Sequence, residues 1–170
     1  MVREFEKRRC TDRRFDPVYA GGIGFSGVLT AAHPTDREQQ DLDYGLRIAR
    51  EIGRLDIGQT VIIKEGAVVA LEAIEGTDAC IERAGTLTGG RGAVMVKIAK
   101  PTQDLRFDLP TIGPGTITAI CAAGMRAIGI EAGRSLILEP ERVIQEADRN
   151  NLVIVGLPPV AVSDDDDARV

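Results

Sequence analysis

The sequence has no Trp, a single His and three Cys, and aromatic residues make up only 4% of its 170 positions. Each scarcity removes a class of chemistry. With His33 alone, neither a Ser-His-Asp triad nor a His-rich metal site fits, and the few serines lack a nucleophile-elbow frame. Cys10, Cys80 and Cys121 are odd in number, far apart and without a Cys-x-x-Cys pair. Neither a disulfide framework nor a zinc knuckle is expected, and the implied compartment is reducing. Long apolar runs are missing too. The longest, Leu152 to Val162, is broken by Gly156 and Pro158-Pro159 and falls short of the roughly 18–20 residues of a membrane helix. Residues 1–14 mix basic and acidic groups and carry no apolar signal segment, so a cytoplasmic protein is expected. An excess of positive charge is also absent: 21 Lys+Arg against 26 Asp+Glu leave a net −5, which argues against nucleic acid as a partner.

What is present is a Val, Ile, Leu and Ala core, with 44% hydrophobic residues and 19 Gly. The pattern predicts an α/β layered sandwich with a mixed sheet and helices on both faces. Residues 1–25 read as an irregular, Arg-rich and Gly-rich lead-in, 26–157 as one domain, and 158–170 as an acidic, disordered tail. Thr35 and Glu38 have capping-box spacing ahead of a helix over 36–53. The runs 60–64 and 67–73, joined by Glu65-Gly66, predict a hairpin. A short helix follows, with Thr77 as its N-cap and Gly85 as its stop. Ala93 to Ile98 is apolar on both faces, as a central strand should be, until Lys97 and Lys100 appear at its end. A helix from Gly113-Pro114 through Met125, strand-like runs at 127–130 and 135–138, a helix over 140–147 and a strand over 152–155 complete the pattern.

The chemistry available is that of carboxylates, Lys and Arg. Glu72, Glu75, Asp78, Lys97, Lys100, Asp104, Arg106 and Asp108 form the inventory of a metal-assisted phosphate site. Carboxylate oxygens suit Mg²⁺ or Mn²⁺, and Lys and Arg neutralise phosphate oxygens. If residues 104–109 are extended, Asp104, Arg106 and Asp108 share one face. The two Asp then stand about 13 Å apart, too far to chelate one ion together, whereas a helical turn brings them to about 6 Å. An exposed edge strand with ordinary ion pairs explains the same letters. Glu75-Gly76-Thr77-Asp78 and Gly113-Pro114-Gly115-Thr116 each open a helix whose N–H groups can receive an anion, though capping and a tight turn account for them equally. Cys80 and Cys121 fall within helices as core residues.

An ordered series of segments carries more information than any one of them. Gly27-Val28-Leu29-Thr30, Leu55-Asp56-Ile57-Gly58-Gln59, Glu72 to Asp78, Lys100 to Pro110, Ile112-Gly113-Pro114, Gly129 to Gly133 and Val153 to Gly156 together resemble one family. It is the carboxy-terminal domain of the LpxI-type UDP-2,3-diacylglucosamine pyrophosphatases of lipid A biosynthesis, over about residues 26–157. The resemblance implies a divalent-metal-dependent hydrolase, with Mg²⁺ or Mn²⁺ as cofactor, working at the inner-membrane surface and at most peripheral to it. Such an enzyme cleaves UDP-2,3-diacylglucosamine to UMP and 2,3-diacylglucosamine 1-phosphate. Carried onto this sequence, Asp104 and Asp108 are the expected catalytic acids and, with Glu75 and Asp78, the metal ligands. Lys97, Lys100, Gln103, Arg106, Thr77 and Gly113 are expected on phosphate. The family resembles a two-domain enzyme, so the resemblance also implies a separate amino-terminal domain or a homo-oligomer to complete the lipid cleft. A non-catalytic nucleotide- or lipid-binding scaffold that keeps the fold is the alternative. A nucleotide deaminase would need a His/Cys zinc set that the sequence lacks.

Overall fold

The computed structural model describes residues 26–100 and 109–159. Gln103, Asp104, Arg106 and Asp108, and the lead-in and most of the acidic tail, lie outside the described residues. The elements are β1 (Gly27–Val28), α1 (Asp36–Arg54), β2 (Thr60–Lys64), β3 (Ala67–Leu71), α2 (Thr77–Thr88), β4 (Val94–Lys97), β5 (Thr111–Ile112), α3 (Pro114–Ala122), β6 (Ala127–Glu131), β7 (Leu136–Ile137), α4 (Pro140–Arg149) and β8 (Val153–Leu157). Six strands form a mixed sheet in the order β1-β8-β6-β4-β2-β3. β4, β6 and β8 run parallel, while β2 is antiparallel to both β3 and β4, and β1 closes the far edge antiparallel to β8. β5 and β7 make a separate parallel pair, Thr111 opposite Leu136 and Ile112 opposite Ile137.

Alternation along the strands divides the core in two. Ile62, Met95, Ile128 and Ile154 face α2, α3 and α4, packing against Cys80, Ile81, Ile117, Ile120 and Val143. Val61, Ile63, Val94, Val96 and Val153 face α1, packing against Leu42, Leu46, Ala49 and Ile52. Each fully buried Leu or Ile contributes roughly 1.5–3 kcal/mol of transfer free energy. One helix covers the α1 face and three cover the other, so the sheet is sandwiched as its apolar strands require.

The Thr35 and Glu38 pair does form a capping box: the Glu38 N–H donates to Thr35 Oγ1 at 3.2 Å and the Thr35 N–H to Glu38 Oε2 at 2.8 Å. The hairpin turns at Glu65-Gly66, whose two N–H groups both donate to the buried Asp41 carboxylate, at 2.8 and 2.7 Å. Three boundaries differ from the sequence expectation. Thr77 is the first residue of α2 and Gly76, with φ +82°, is its cap, because the Thr77 hydroxyl is used elsewhere. Gly85 does not stop α2. It lies against α3, where a Cβ would come within 3.0 Å of the Ala123 Cβ, and the left-handed Gly89 ends the helix instead. α3 ends at Ala122 rather than running through Met125, since Gly124 turns left-handed.

Candidate functional site

The strands β3, β4, β6 and β8 point the same way, and α2, α3 and α4 each begin beyond the strand that precedes them. Three helix N-termini therefore face the carboxyl end of the sheet, the end where ligands bind in open α/β folds. This is also where the apolar strands become polar. Thr60, Glu72 and Lys97 are all buried, and alternation puts them on the face covered by α2, with Thr60 directly opposite Lys97 in the β2–β4 register.

Thr77 joins them. Lys97 Nζ donates to Thr77 Oγ1 at 3.0 Å, and Thr77 Oγ1 donates to Glu72 Oε1 at 3.0 Å. Thr77 has then spent its only hydroxyl proton, so in its 3.4 Å contact with Thr60 the Thr60 hydroxyl is the donor. A buried ammonium and a buried carboxylate are thus linked through one hydroxyl. The other carboxylate oxygen, Glu72 Oε2, is buried without a hydrogen-bond partner. Gly58 lets the neighbouring loop approach this group: a Cβ there would sit 2.0 Å from the Glu72 carbonyl oxygen.

A second polar group stands on the opposite face of the same end. Glu131 closes β6, and its Oε2 lies 3.9 Å from Arg134 Nε, an ion pair too long to be a hydrogen bond. Arg50, from the second half of α1, donates through Nη2 to the Pro158 carbonyl just past β8, at 3.2 Å. Burial lowers the Arg50 pKa from its ordinary value, and the charge of Glu131 opposes that shift. Ser135 follows, 3% exposed. Six buried side-chain polar atoms among the described residues lack a hydrogen-bond partner: Arg50 Nε, Gln59 Oε1, Glu72 Oε2, Glu131 Oε2, Arg134 Nε and Ser135 Oγ. All six lie at this end of the sheet. Buried polar groups without partners are costly, and their concentration at one place makes this end of the sheet the candidate ligand site.

The remaining expected residues are placed as follows. Lys97 and Thr77 are brought together. Lys100 Nζ pairs with Asp56 at 2.8 Å. The Gly113 N–H donates to Thr116 Oγ1 at 3.3 Å. Glu75 accepts from the Ala73 N–H at 3.1 Å and pairs with Arg83, and its carboxyl is held below the usual range by its own backbone N–H and then by Arg83. Asp78 lines a groove of about 680 Å³ between α2 and α3, beside Glu82. Among the described residues no three His, Cys, Asp or Glu side chains converge to hold one metal ion, and no helix is long and apolar enough to cross a membrane. Glu72 was legible as a carboxylate but not as the partner of Thr77, and Thr60, Arg50, Arg134 and Ser135 carried no sequence signal, because only strand pairing and helix packing bring them in.

Residues 25–155 match the family model described as the LpxI C-terminal domain. The chain belongs to this family. Over 140 residues it is 44% identical to the UDP-2,3-diacylglucosamine pyrophosphatase LpxI of Caulobacter vibrioides, an alignment covering 78% of this chain and 50% of that protein. The chain thus spans about half the length of this LpxI relative, and the matched region takes in both polar groups at the carboxyl end of the sheet.

Proposed function

We propose that this LpxI-type domain hydrolyses UDP-2,3-diacylglucosamine to UMP and 2,3-diacylglucosamine 1-phosphate, completed by an amino-terminal domain or a second copy and working at the surface of the inner membrane. The observation that carries the reading is the buried Lys97–Thr77–Glu72 link at the carboxyl ends of the parallel strands, in which Glu72 Oε2 has no hydrogen-bond partner. The similarity to the Caulobacter enzyme supports this choice of substrate. The site's chemistry suits a diphosphate. Lys97, oriented by Thr77, is a fixed cation for a phosphate oxygen as charge develops on it. Lys100, Gln103, Arg106, Thr77 and Gly113 are the further residues we assign to the phosphates.

We also propose a divalent ion, Mg²⁺ or Mn²⁺, as cofactor, although the described residues alone bring no three ligand side chains together. Glu72 keeps a buried carboxylate oxygen without a partner, and Asp104 and Asp108 lie in the connection that leaves β4 after Lys100. Asp104 and Asp108, with Glu75 and Asp78, are the residues we assign to the metal, and Asp104 and Asp108 also to the attacking water. A divalent ion held there supplies Lewis-acid polarisation of the diphosphate and a more acidic water. The test is UMP release from UDP-2,3-diacylglucosamine by the purified chain, alone and with the amino-terminal half of the Caulobacter protein, with Mg²⁺ or Mn²⁺ and with chelator. Chelator-sensitive release that Asp104→Asn and Asp108→Asn abolish is the expected result. Nucleotide or lipid binding by folded protein without metal-dependent turnover would make the domain a scaffold instead.

A further inference from the structure

Arg50, Glu131 and Arg134 lie outside the Lys97–Thr77–Glu72 link, yet the group they make with Ser135, the next residue along the chain, holds four of the six buried atoms without a hydrogen-bond partner. Its composition restricts what can bind there. Two guanidiniums and one carboxylate leave one positive charge; Arg50 Nε, Arg134 Nε and the Ser135 hydroxyl are donors and Glu131 Oε2 an acceptor without hydrogen bonds, Arg134 Nε and Glu131 Oε2 facing each other only as a long ion pair at 3.9 Å. A bare anion would draw on the donors, Arg134 included, and leave the Glu131 oxygen repelled and still without a hydrogen bond. A metal ion would satisfy the carboxylate and be repelled by the guanidiniums. A ligand portion that both accepts and donates satisfies all four atoms.

We infer that Arg50, Glu131, Arg134 and Ser135 form a recognition site for the nucleoside end of a nucleotide, in which Glu131 accepts from a ribose hydroxyl or a base N–H while the arginines and Ser135 donate to its oxygens. Burial and strand register bear on this reading. Glu131 and Ser135 are both 3% exposed, so their unused polar atoms are already desolvated and gain a full hydrogen bond from a ligand. Glu131 also ends β6 immediately beside β4, whose Lys97 is paired with Ile130, so the two groups flank one strand end from opposite faces. A nucleoside diphosphate reaching over that end would meet Lys97 with its phosphates and Glu131 with its sugar or base. The inference rests on the proposed uridine-nucleotide substrate.

Glu131→Gln separates a nucleoside site from a simple anion site, because the two predict opposite signs. Titration calorimetry of the full chain with UMP, CMP, ribose 5-phosphate and inorganic phosphate is the experiment. The expected result is that Glu131→Gln weakens UMP about tenfold, the loss of one charge-assisted hydrogen bond, and leaves inorganic phosphate unchanged or tighter. Retention of the effect with ribose 5-phosphate assigns Glu131 to the ribose, and its restriction to UMP over CMP assigns it to the base. Unchanged UMP affinity in the variant, equal tightening of UMP and phosphate, or no UMP binding by the folded parent would each overturn the inference. Arg134→Gln, at a partly exposed side chain, serves if Glu131→Gln does not fold: it should weaken UMP, and no change would count equally against the site. UMP release assayed in parallel keeps the two questions apart. Turnover with a Glu131-independent UMP affinity leaves the pyrophosphatase reading standing, and nucleotide binding without turnover removes that reading alone.

Discussion

The two ends of the sheet bury polar side chains to opposite purpose. At the amino end of the parallel strands, Asp41 gives one oxygen to each N–H of the Glu65-Gly66 turn, and Thr30 accepts from the Ile154 N–H at 3.1 Å while donating to the Ala32 carbonyl at 3.1 Å. Both are buried and both are fully used on backbone. At the carboxyl end, Glu72, Glu131 and Ser135 are as deeply buried and each keeps an atom unused. The first arrangement stabilises the fold. The second costs stability unless water or a ligand supplies the missing partners.

Substitutions at the two ends should therefore have opposite signatures. The largest effect is expected from Lys97→Met, which removes the cation while keeping the volume: UMP release should fall by at least about 100-fold, or about 2.7 kcal/mol in the barrier, with folding retained by circular dichroism. Asp41→Ala should do the reverse, lowering unfolding free energy by about 1–3 kcal/mol in denaturant titration as the turn loses both acceptors, with turnover unaffected. Glu72→Gln keeps an acceptor for Thr77 and should slow turnover by about tenfold while lowering stability less than Asp41→Ala, since one buried carboxylate is gone but the Lys97 ammonium stays buried. A drop in stability like that of Asp41→Ala would erase the contrast between the ends.

The smallest effect belongs to neither end. Burial raises the Cys80 thiol to about 11, above its ordinary 9, so the unfolded chain releases this proton first as pH rises. The corresponding stability is complete below pH 9 and is lost between pH 9 and 11, and Cys80→Ala should flatten that part of a stability-versus-pH curve.

The sequence was most informative where one local feature decides the structure. The Thr35 and Glu38 cap, the Glu65-Gly66 turn and the apolar strand ending in Lys97 are each fixed by neighbours a few residues away. Glycine was ambiguous for a physical reason. Gly85 and Gly89 look alike as letters, but one permits α2 to touch α3 and the other permits a left-handed turn. The two-residue β1 was not legible, because its pairing with β8 joins residues more than 125 positions apart. The site divided in the same way. Lys97 and Thr77 stood out from their positions at element ends, whereas the link from Thr77 to Glu72 depends on strand alternation and the entry angle of α2. Arg50 shares a face with Glu131 only because α1 covers that side of the sheet, and nothing local to either residue encodes that.

Hydrogen–deuterium exchange of the full chain with and without saturating UMP tests the contrast between the two ends most directly. Added protection should appear at the carboxyl end, in 58–60, 72–77, 97–100 and 131–136, and the amino-end segments 65–66, 89–93 and 124–127 should exchange unchanged. Protection confined to the amino end, or no change anywhere at a concentration where UMP is bound, would contradict the assignment of the unspent polar atoms to a ligand site.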